Sequence, residues 1–233
     1  MSETVLYLLP TPLSDENPLQ HTVPYNLSVI NSCRHFIVEE LKTARRYLKA
    51  LDKNFDIDGR SFLELNEHTS QFDIAEIFKS VLHHKKTVLM SEAGCPGVAD
   101  PGATIVKLAH DHGIKVVPLI GPSSIIMAIM ASGLNGQNFW FEGYLPKEKD
   151  ARVQKIKSLE KLAANQSQWF IETPYRNVQL FEELINTLSQ GTRLCIAANI
   201  SSPDEFIGTK TVFDWKKTKP EINKIPCVFG IGQ

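Results

Sequence analysis

The sequence predicts an α/β protein of two α/β domains, the first a doubly wound, mostly parallel sheet and the second a mixed α/β sheet. Three observations carry this. Short apolar runs alternate with stretches of helical periodicity through the first half, which implies right-handed crossovers between parallel strands and helices on both faces. The segment Gly121-Pro122-Ser123-Ser124 interrupts that alternation and places the domains at residues 1–120 and 121–233. The tail then holds three apolar runs joined by polar turns, and strands in sequence without helices favour antiparallel pairing.

The first strand is the run VLYLL at residues 5–9, ended by Pro10, Thr11 and Pro12. Residues 35–38 make a second strand, helical periodicity follows over 42–51, and 61–65 make a third strand. The clearest helix spans 73–84, where Ile74, Ile77, Phe78, Val81 and Leu82 repeat at the spacing of one helix face. Strand 87–90, a glycine-rich loop, helix 103–112 with Gly113 as its C-cap and strand 114–119 complete the first half. A very apolar helix over 125–131 is closed by Gly133. Strands at 139–143, 169–172 and 193–198 alternate with helices at 148–163 and 177–189, and the tail strands are 205–207, 211–215 and 227–231.

Composition excludes several classes. With 42% hydrophobic and 22% charged residues the chain is not intrinsically disordered. No apolar run approaches the roughly 18–20 residues of a membrane span, and the polar start points to a soluble, unexported protein with no membrane partner. Twenty-five basic against 26 acidic residues leave a net charge of −1, so any RNA contact must come from a local patch. Cys33, Cys95, Cys195 and Cys227 show no C-x-x-C spacing, which indicates neither a zinc ribbon nor a redox dithiol, and a cytoplasmic location is expected. His83 and His84 end one helix and His110 and His112 another, where they suit the helix dipole; no metal site is indicated.

Chemistry concentrates in loops. SEAGCPGVADPG, residues 91–102, follows a strand and precedes a helix, where ligands bind in open α/β sheets. Its glycines open the main chain to a ligand, its prolines stiffen it, and Glu92 and Asp100 supply carboxylates. A rigid structural turn accounts for the same residues. The loop is neither a dinucleotide fingerprint nor a P-loop. PLIGPSS at 118–124 offers Ser123 or Ser124 as a helix cap, and LPTPLSDENP at 9–18 lies on the same carboxyl edge of the sheet. In FIETPYR, residues 170–176, Glu172, Tyr175 and Arg176 could bind a polar substrate or form a surface ion pair.

SEAGCPGVADPG resembles the S-D-A-G-T-P-x-x-x-D-P-G loop of the tetrapyrrole methylase superfamily of S-adenosylmethionine-dependent methyltransferases. Within it, VVPLIGPSSIIMAIMASGL (116–134), FWFEGYLPKEKDAR (139–152) and FIETPYR are similar, in order and spacing, to motifs of the bacterial small-subunit rRNA 2′-O-ribose (cytidine) methyltransferases. The chain is identified as a divergent member of that branch. The resemblance implies S-adenosyl-L-methionine in the cleft between the domains, a homodimer, and small-subunit rRNA or the 30S particle as partner. Carried over by position, cofactor contacts fall on Pro10, on Glu92, Ala93, Gly94, Pro96, Gly97 and Val98, and on Ser123, Ser124 and Ile125. Ile171 and Ala197 lie further round the implied cleft.

The departures are specific. The first loop keeps Thr11 and Pro12 but lacks the family's glycine; EELKTARR stands for E-D-T-R; NISSPDEF (199–206) stands for R-E-L-T-K-x-x-E. The cofactor half is well kept and the substrate half is not.

In-line transfer from an activated sulfonium needs mainly positioning, and a general base helps a ribose hydroxyl lose its proton. Glu39 or Glu40 is the first candidate base and Asp100 the second, with a structural role competing for each. Lys42, Arg45, Arg46 and Lys49 form a basic stripe at helical spacing, and Lys147, Lys149 and Arg152 a second cluster; with Arg176 they are candidate phosphate contacts, though solvated helix faces explain them equally. Two other readings remain: a small-molecule, tetrapyrrole-type methyltransferase, and a non-catalytic S-adenosylmethionine-binding paralogue.

Overall fold

The computed structural model describes residues 4–14 and 18–233; the first three residues and Asp15, Glu16 and Asn17 of the expected first loop lie outside the described residues. The chain divides into two compact units, residues 1–123 and 124–233.

Unit 1 holds five strands, β1 (Val5–Leu9), β2 (His35–Val38), β3 (Ser61–Glu64), β4 (Lys86–Met90) and β5 (Lys115–Pro118), in the order β3-β2-β4-β1-β5. Every pairing is parallel. Helices α1 (Pro24–Ser32), α2 (Leu41–Leu51), α3 (Gln71–His83) and α4 (Ala103–Asp111) are the crossovers. Strand parity divides the core. Leu9, Phe36, Val38, Val88 and Met90 pack with Val29, Ile30, Ala44 and Leu48 of α1 and α2. Leu6, Ile37 and Leu89 pack with Ile74, Ile77, Phe78 and Val81 of α3 and Ile105 and Ala109 of α4. Successive strand residues point to opposite faces, so a sheet covered on both sides needs apolar residues at consecutive positions.

Two details differ from the sequence reading. Leu82 is exposed and contributes nothing to the buried face of α3. Helix α1 was not anticipated, because its buried stripe of Asn26, Val29 and Ile30 includes a polar residue. Pro24 suits the first helical turn, where its missing N–H costs nothing. Asn26 Nδ2 donates to the carbonyl of Ile120 at 2.7 Å, which compensates part of its burial; its Oδ1 has no partner among the described residues.

Unit 2 begins with α5 (Ser124–Ser132) and builds a second sheet from β6 (Phe139–Tyr144), β7 (Ser167–Ile171), β8 (Arg193–Ala198), β9 (Phe206–Thr211) and β10 (Cys227–Gly232). Its order is β6-β7-β10-β8-β9. β6 and β7 are parallel; the other pairings are antiparallel, as expected for the tail. Helices α6 (Lys149–Leu162) and α7 (Asn177–Thr187) bury Ile156, Leu159, Leu180, Phe181 and Leu184 against Phe170, Phe229 and Ile231.

The expected strand at 211–215 is instead a helical turn, α8 (Val212–Trp215). The Asp214 N–H donates to Thr211 Oγ1 at 3.1 Å and the Thr211 hydroxyl donates back to Asp214 Oδ2 at 2.7 Å. Thr211 is thus an N-cap held by the side chain of Asp214, which starts a helix where an apolar run alone reads as a strand. Among the described residues no helix is long and apolar enough to cross a membrane.

Candidate functional site

Strands β4, β1 and β5 are neighbours and parallel, so the loops that follow them leave the same edge of the unit 1 sheet. The loops lock together there. Thr11 and Gly94 exchange main-chain hydrogen bonds at 2.9 and 3.0 Å. The Thr11 hydroxyl donates to the Ser91 carbonyl at 3.1 Å, and the Ser91 hydroxyl to the Gly94 carbonyl at 2.9 Å. Cys95 Sγ donates to the Pro122 carbonyl at 3.4 Å, joining the loops after β4 and β5. A Cβ on Gly121 would lie 2.4 Å from Cβ of Pro10, so this approach admits only glycine. Gly94 and Gly97 both take φ of +79°, a region unfavourable to residues with a Cβ.

Asp100 organises the loop from within. Its Oδ1 accepts the N–H groups of Gly97 and Gly102, each at 2.8 Å. Its Oδ1 is thus committed to main-chain donors and its side chain also meets Glu39, which corrects its reading as a free candidate base. Glu40 is corrected on the same ground. It is the N-cap of α2, accepting the N–H groups of Lys42 at 3.0 Å and Thr43 at 2.7 Å. The Thr43 and Lys42 amides hold its carboxyl below the usual range, which makes it a weaker base.

Glu39 differs. It is half-buried at the end of β2, and its Oε2 accepts the Glu92 N–H at 2.8 Å. Burial raises its pKa, partly opposed by that N–H, and the charges of Asp100 and Glu92 raise it further.

The Thr43 hydroxyl lies between two carboxylates, 2.9 Å from Glu40 Oε2 and 2.8 Å from Glu92 Oε2. Its single hydrogen can serve only one at a time. Beside this contact a cavity of about 160 Å³ is lined by Thr11, Pro12, Thr43, Arg46, Tyr47 and Glu92, among others. Sequence reasoning did not single out Thr43 and Tyr47. Their four-residue separation on α2 puts them on one face, a signal that was available. The Tyr47 hydroxyl is 3.0 Å from Thr22 Oγ1.

The structure separates the basic residues. Arg46 lines the cavity, whereas Arg45 of the same helix lies over the Phe62 ring at 5.3 Å, away from it. The expected Lys147–Lys149–Arg152 cluster is not one. Arg152 is buried, forks onto Glu183 at 2.6 and 2.7 Å, and donates to the carbonyls of Pro146 and Lys147. It therefore braces the segment after β6, while Lys147 is exposed. Arg176 is committed to buried Glu172, with Nη2 2.5 Å from Oε1, and this corrects its reading as a free substrate contact.

Of the expected cofactor contacts, Pro10 and the residues from Glu92 to Val98 lie in the interlocked loops of unit 1; Val98 is well exposed. Ser123 ends unit 1, and Ser124 and Ile125 open α5 in unit 2. Ile171 ends β7, and Ala197 is fully buried in β8, paired with Val228 and Ile207. Among the described residues no group of three or more His, Cys, Asp or Glu could hold a metal ion.

Comparison with known proteins gives concordant results. The profile of the Tetrapyrrole (Corrin/Porphyrin) Methylases matches residues 26–214. A protein of Vibrio cholerae called Ribosomal RNA small subunit methyltransferase I is 29% identical over 203 residues, 87% of this chain and 67% of that one. A protein of the same name from Helicobacter pylori is 31% identical over 84% of this chain and 71% of its own. The one from Escherichia coli is 28% identical over 88% and 68%. Among solved structures the fold matches the methyltransferase CobJ with a TM-score of 0.67 at 14% identity, covering 100% of this chain and 95% of that one. It also matches uroporphyrin-III C-methyltransferase from Thermus thermophilus complexed with S-adenosyl homocysteine, with a TM-score of 0.60 at 15% identity, covering 99% and 97%.

Proposed function

The chain belongs to the tetrapyrrole (corrin/porphyrin) methylase family and is an S-adenosyl-L-methionine-dependent methyltransferase; from that premise we propose that it methylates the 2′-hydroxyl of a ribose in small-subunit ribosomal RNA. The observation that carries the substrate is the kinship, across 84–88% of the chain, with relatives named for small-subunit rRNA. The proposal includes a homodimer acting in the cytoplasm on the 30S particle, as the motif resemblance implies.

The unit 1 site fits the donor chemically. Glu39, Glu92 and Asp100 gather carboxylates at the loop after β4, a setting that favours a sulfonium or an ammonium group. Pro10 and the residues from Glu92 to Val98 would hold it, and when bound it supplies an already activated methyl group. The chain's own contribution is to orient the acceptor oxygen and exclude water. Glu39 is the carboxylate we assign to take the ribose proton, since it accepts a single main-chain amide where Glu40 and Asp100 each accept two, and burial raises its pKa. Arg46, at the rim of the cavity, would meet a neighbouring phosphate.

The test is transfer of labelled methyl to naked small-subunit rRNA, 30S particles and a porphyrinogen in parallel, followed by alkaline hydrolysis. Label in RNA at an alkali-resistant linkage supports the proposal. Label confined to the porphyrinogen refutes it.

A further inference from the structure

We infer that unit 2 carries a second RNA-docking surface, at the edge strand β9 and the turn α8, which takes the phosphodiester backbone of the RNA. The inference rests on the rRNA reading of the site above, and uses none of its residues.

The chain as a whole has a net charge of −1, yet Arg193, Lys210 and Lys217 meet here, with Lys216 and Lys219 adjacent in sequence; Asp214 pairs with Lys217 and Glu182 with Lys219. β9 is the last strand of its sheet, so one side of it has no neighbouring strand. Arg193 faces Thr211 across the β8–β9 ladder, which starts both side chains on one face. An open depression of about 430 Å³ lies there, lined by Arg193, Lys210, Lys217, Asp214 and three threonines. Among the described residues the Arg193 guanidinium has no hydrogen-bond or ion-pair partner.

The lysines are held rather than left to wander. Lys210 Nζ is 3.1 Å from Thr218 Oγ1 and 4.7 Å from the Trp215 ring. Lys217 Nζ is 3.0 Å from Asp214 Oδ1 and 3.8 Å from the Phe213 ring. Fixed cations lose less entropy when a phosphate arrives. Phe213 is 54% exposed beside Lys217 and offers a face on which an unpaired base can stack. A concave site with cations around its wall and one aromatic on its rim suits a chain of phosphates. A flat anionic membrane would touch only the rim.

The test compares the full-length protein with Arg193→Gln/Lys216→Gln/Lys217→Gln. All three positions are exposed, so the fold and S-adenosylmethionine binding by calorimetry are expected to persist. Affinity for a small-subunit rRNA fragment and for 30S particles is measured over a range of salt. Losing three phosphate contacts lowers the salt slope by about 2 units, at roughly 0.7 per contact on single strands. Phe213→Ala, which keeps every charge, is expected to weaken binding without changing the slope. An unchanged slope and affinity in the triple variant overturn the inference, even when the parent still methylates RNA. So does binding of the parent to phosphatidylglycerol vesicles through these residues with RNA affinity unaffected by their loss. A parent that transfers no methyl to RNA and shows no affinity for it overturns the rRNA reading itself.

Discussion

Glu39 at the end of β2 accepts the main-chain N–H of Glu92, 53 residues later, at 2.8 Å. The loop after β4 is thus tied to the neighbouring strand end by a side-chain carboxyl, beyond the last ladder pair of Val38 with Met90. That carboxyl is half-buried and faces two further acids, an arrangement unfavourable to its charged form.

Glu39→Gln should therefore stabilise the protein while removing activity. The folded pKa of Glu39 is raised above its unfolded value, so the folded state holds the proton more tightly. Its contribution to stability is present below the unfolded pKa and is lost as pH rises through the folded one. The glutamine variant should melt higher than the parent at neutral pH, with the difference shrinking on acidification. Methyl transfer should fall by about 10²–10⁴-fold, the range for a general base. Thermal melts across pH and single-turnover transfer check both; an unchanged transfer rate removes Glu39 from the mechanism.

Thr43→Val removes the hydroxyl shared by Glu40 and Glu92 while leaving both amide bonds to Glu40 in place. Stability should change little. Loss of one hydrogen bond at Glu92, about 1 kcal/mol, corresponds to roughly a fivefold weaker donor affinity. Calorimetry with S-adenosylmethionine reads this directly.

Gly121→Ala puts a methyl 2.4 Å from Cβ of Pro10 and must push apart the loops after β1 and β5. A cost of about 1–3 kcal/mol is expected, as for other overpacked sites. Urea unfolding should show it, together with weakened donor binding.

Arg152→Met leaves Glu183 buried without its guanidinium and two carbonyls without their donor. Removing one partner of a buried pair costs about 3–5 kcal/mol. Arg152→Met/Glu183→Leu should lose less than the two single losses summed, because no charge is then stranded. A double-mutant cycle in urea measures the difference.

Much of this architecture is legible in the chain. Consecutive apolar residues in β1, β2 and β4 announce a sheet covered on both faces, and SEAGCPGVADPG announces the loop at its carboxyl edge. The turn at 211–215 is not legible as a helix from its apolar residues, which fit either period, although Thr211 and Asp214 stand three residues apart, the spacing of an N-cap and its partner. Helix α1 escaped because Asn26 holds a buried position, and its partner, the carbonyl of Ile120, lies 94 residues away.

The sequence by itself determined the fold class, the place of the loops and the methyltransferase kinship, since these follow from periodicity, glycine placement and motif order. Only the tertiary structure decided what each charged group meets. Arg45 and Arg46 are adjacent in sequence, yet one lies over Phe62 and the other lines the cavity. Arg152 and Arg176 look like phosphate contacts until Glu183 and Glu172 are brought against them. Glu39, Glu40 and Asp100 are alike as residues, but Glu40 and Asp100 each accept two main-chain amides, whereas Glu39 accepts one and is half-buried beside two acids. A carboxyl's basicity and an arginine's freedom depend on partners and on exclusion of water, and both are supplied by distant segments that only folding brings together.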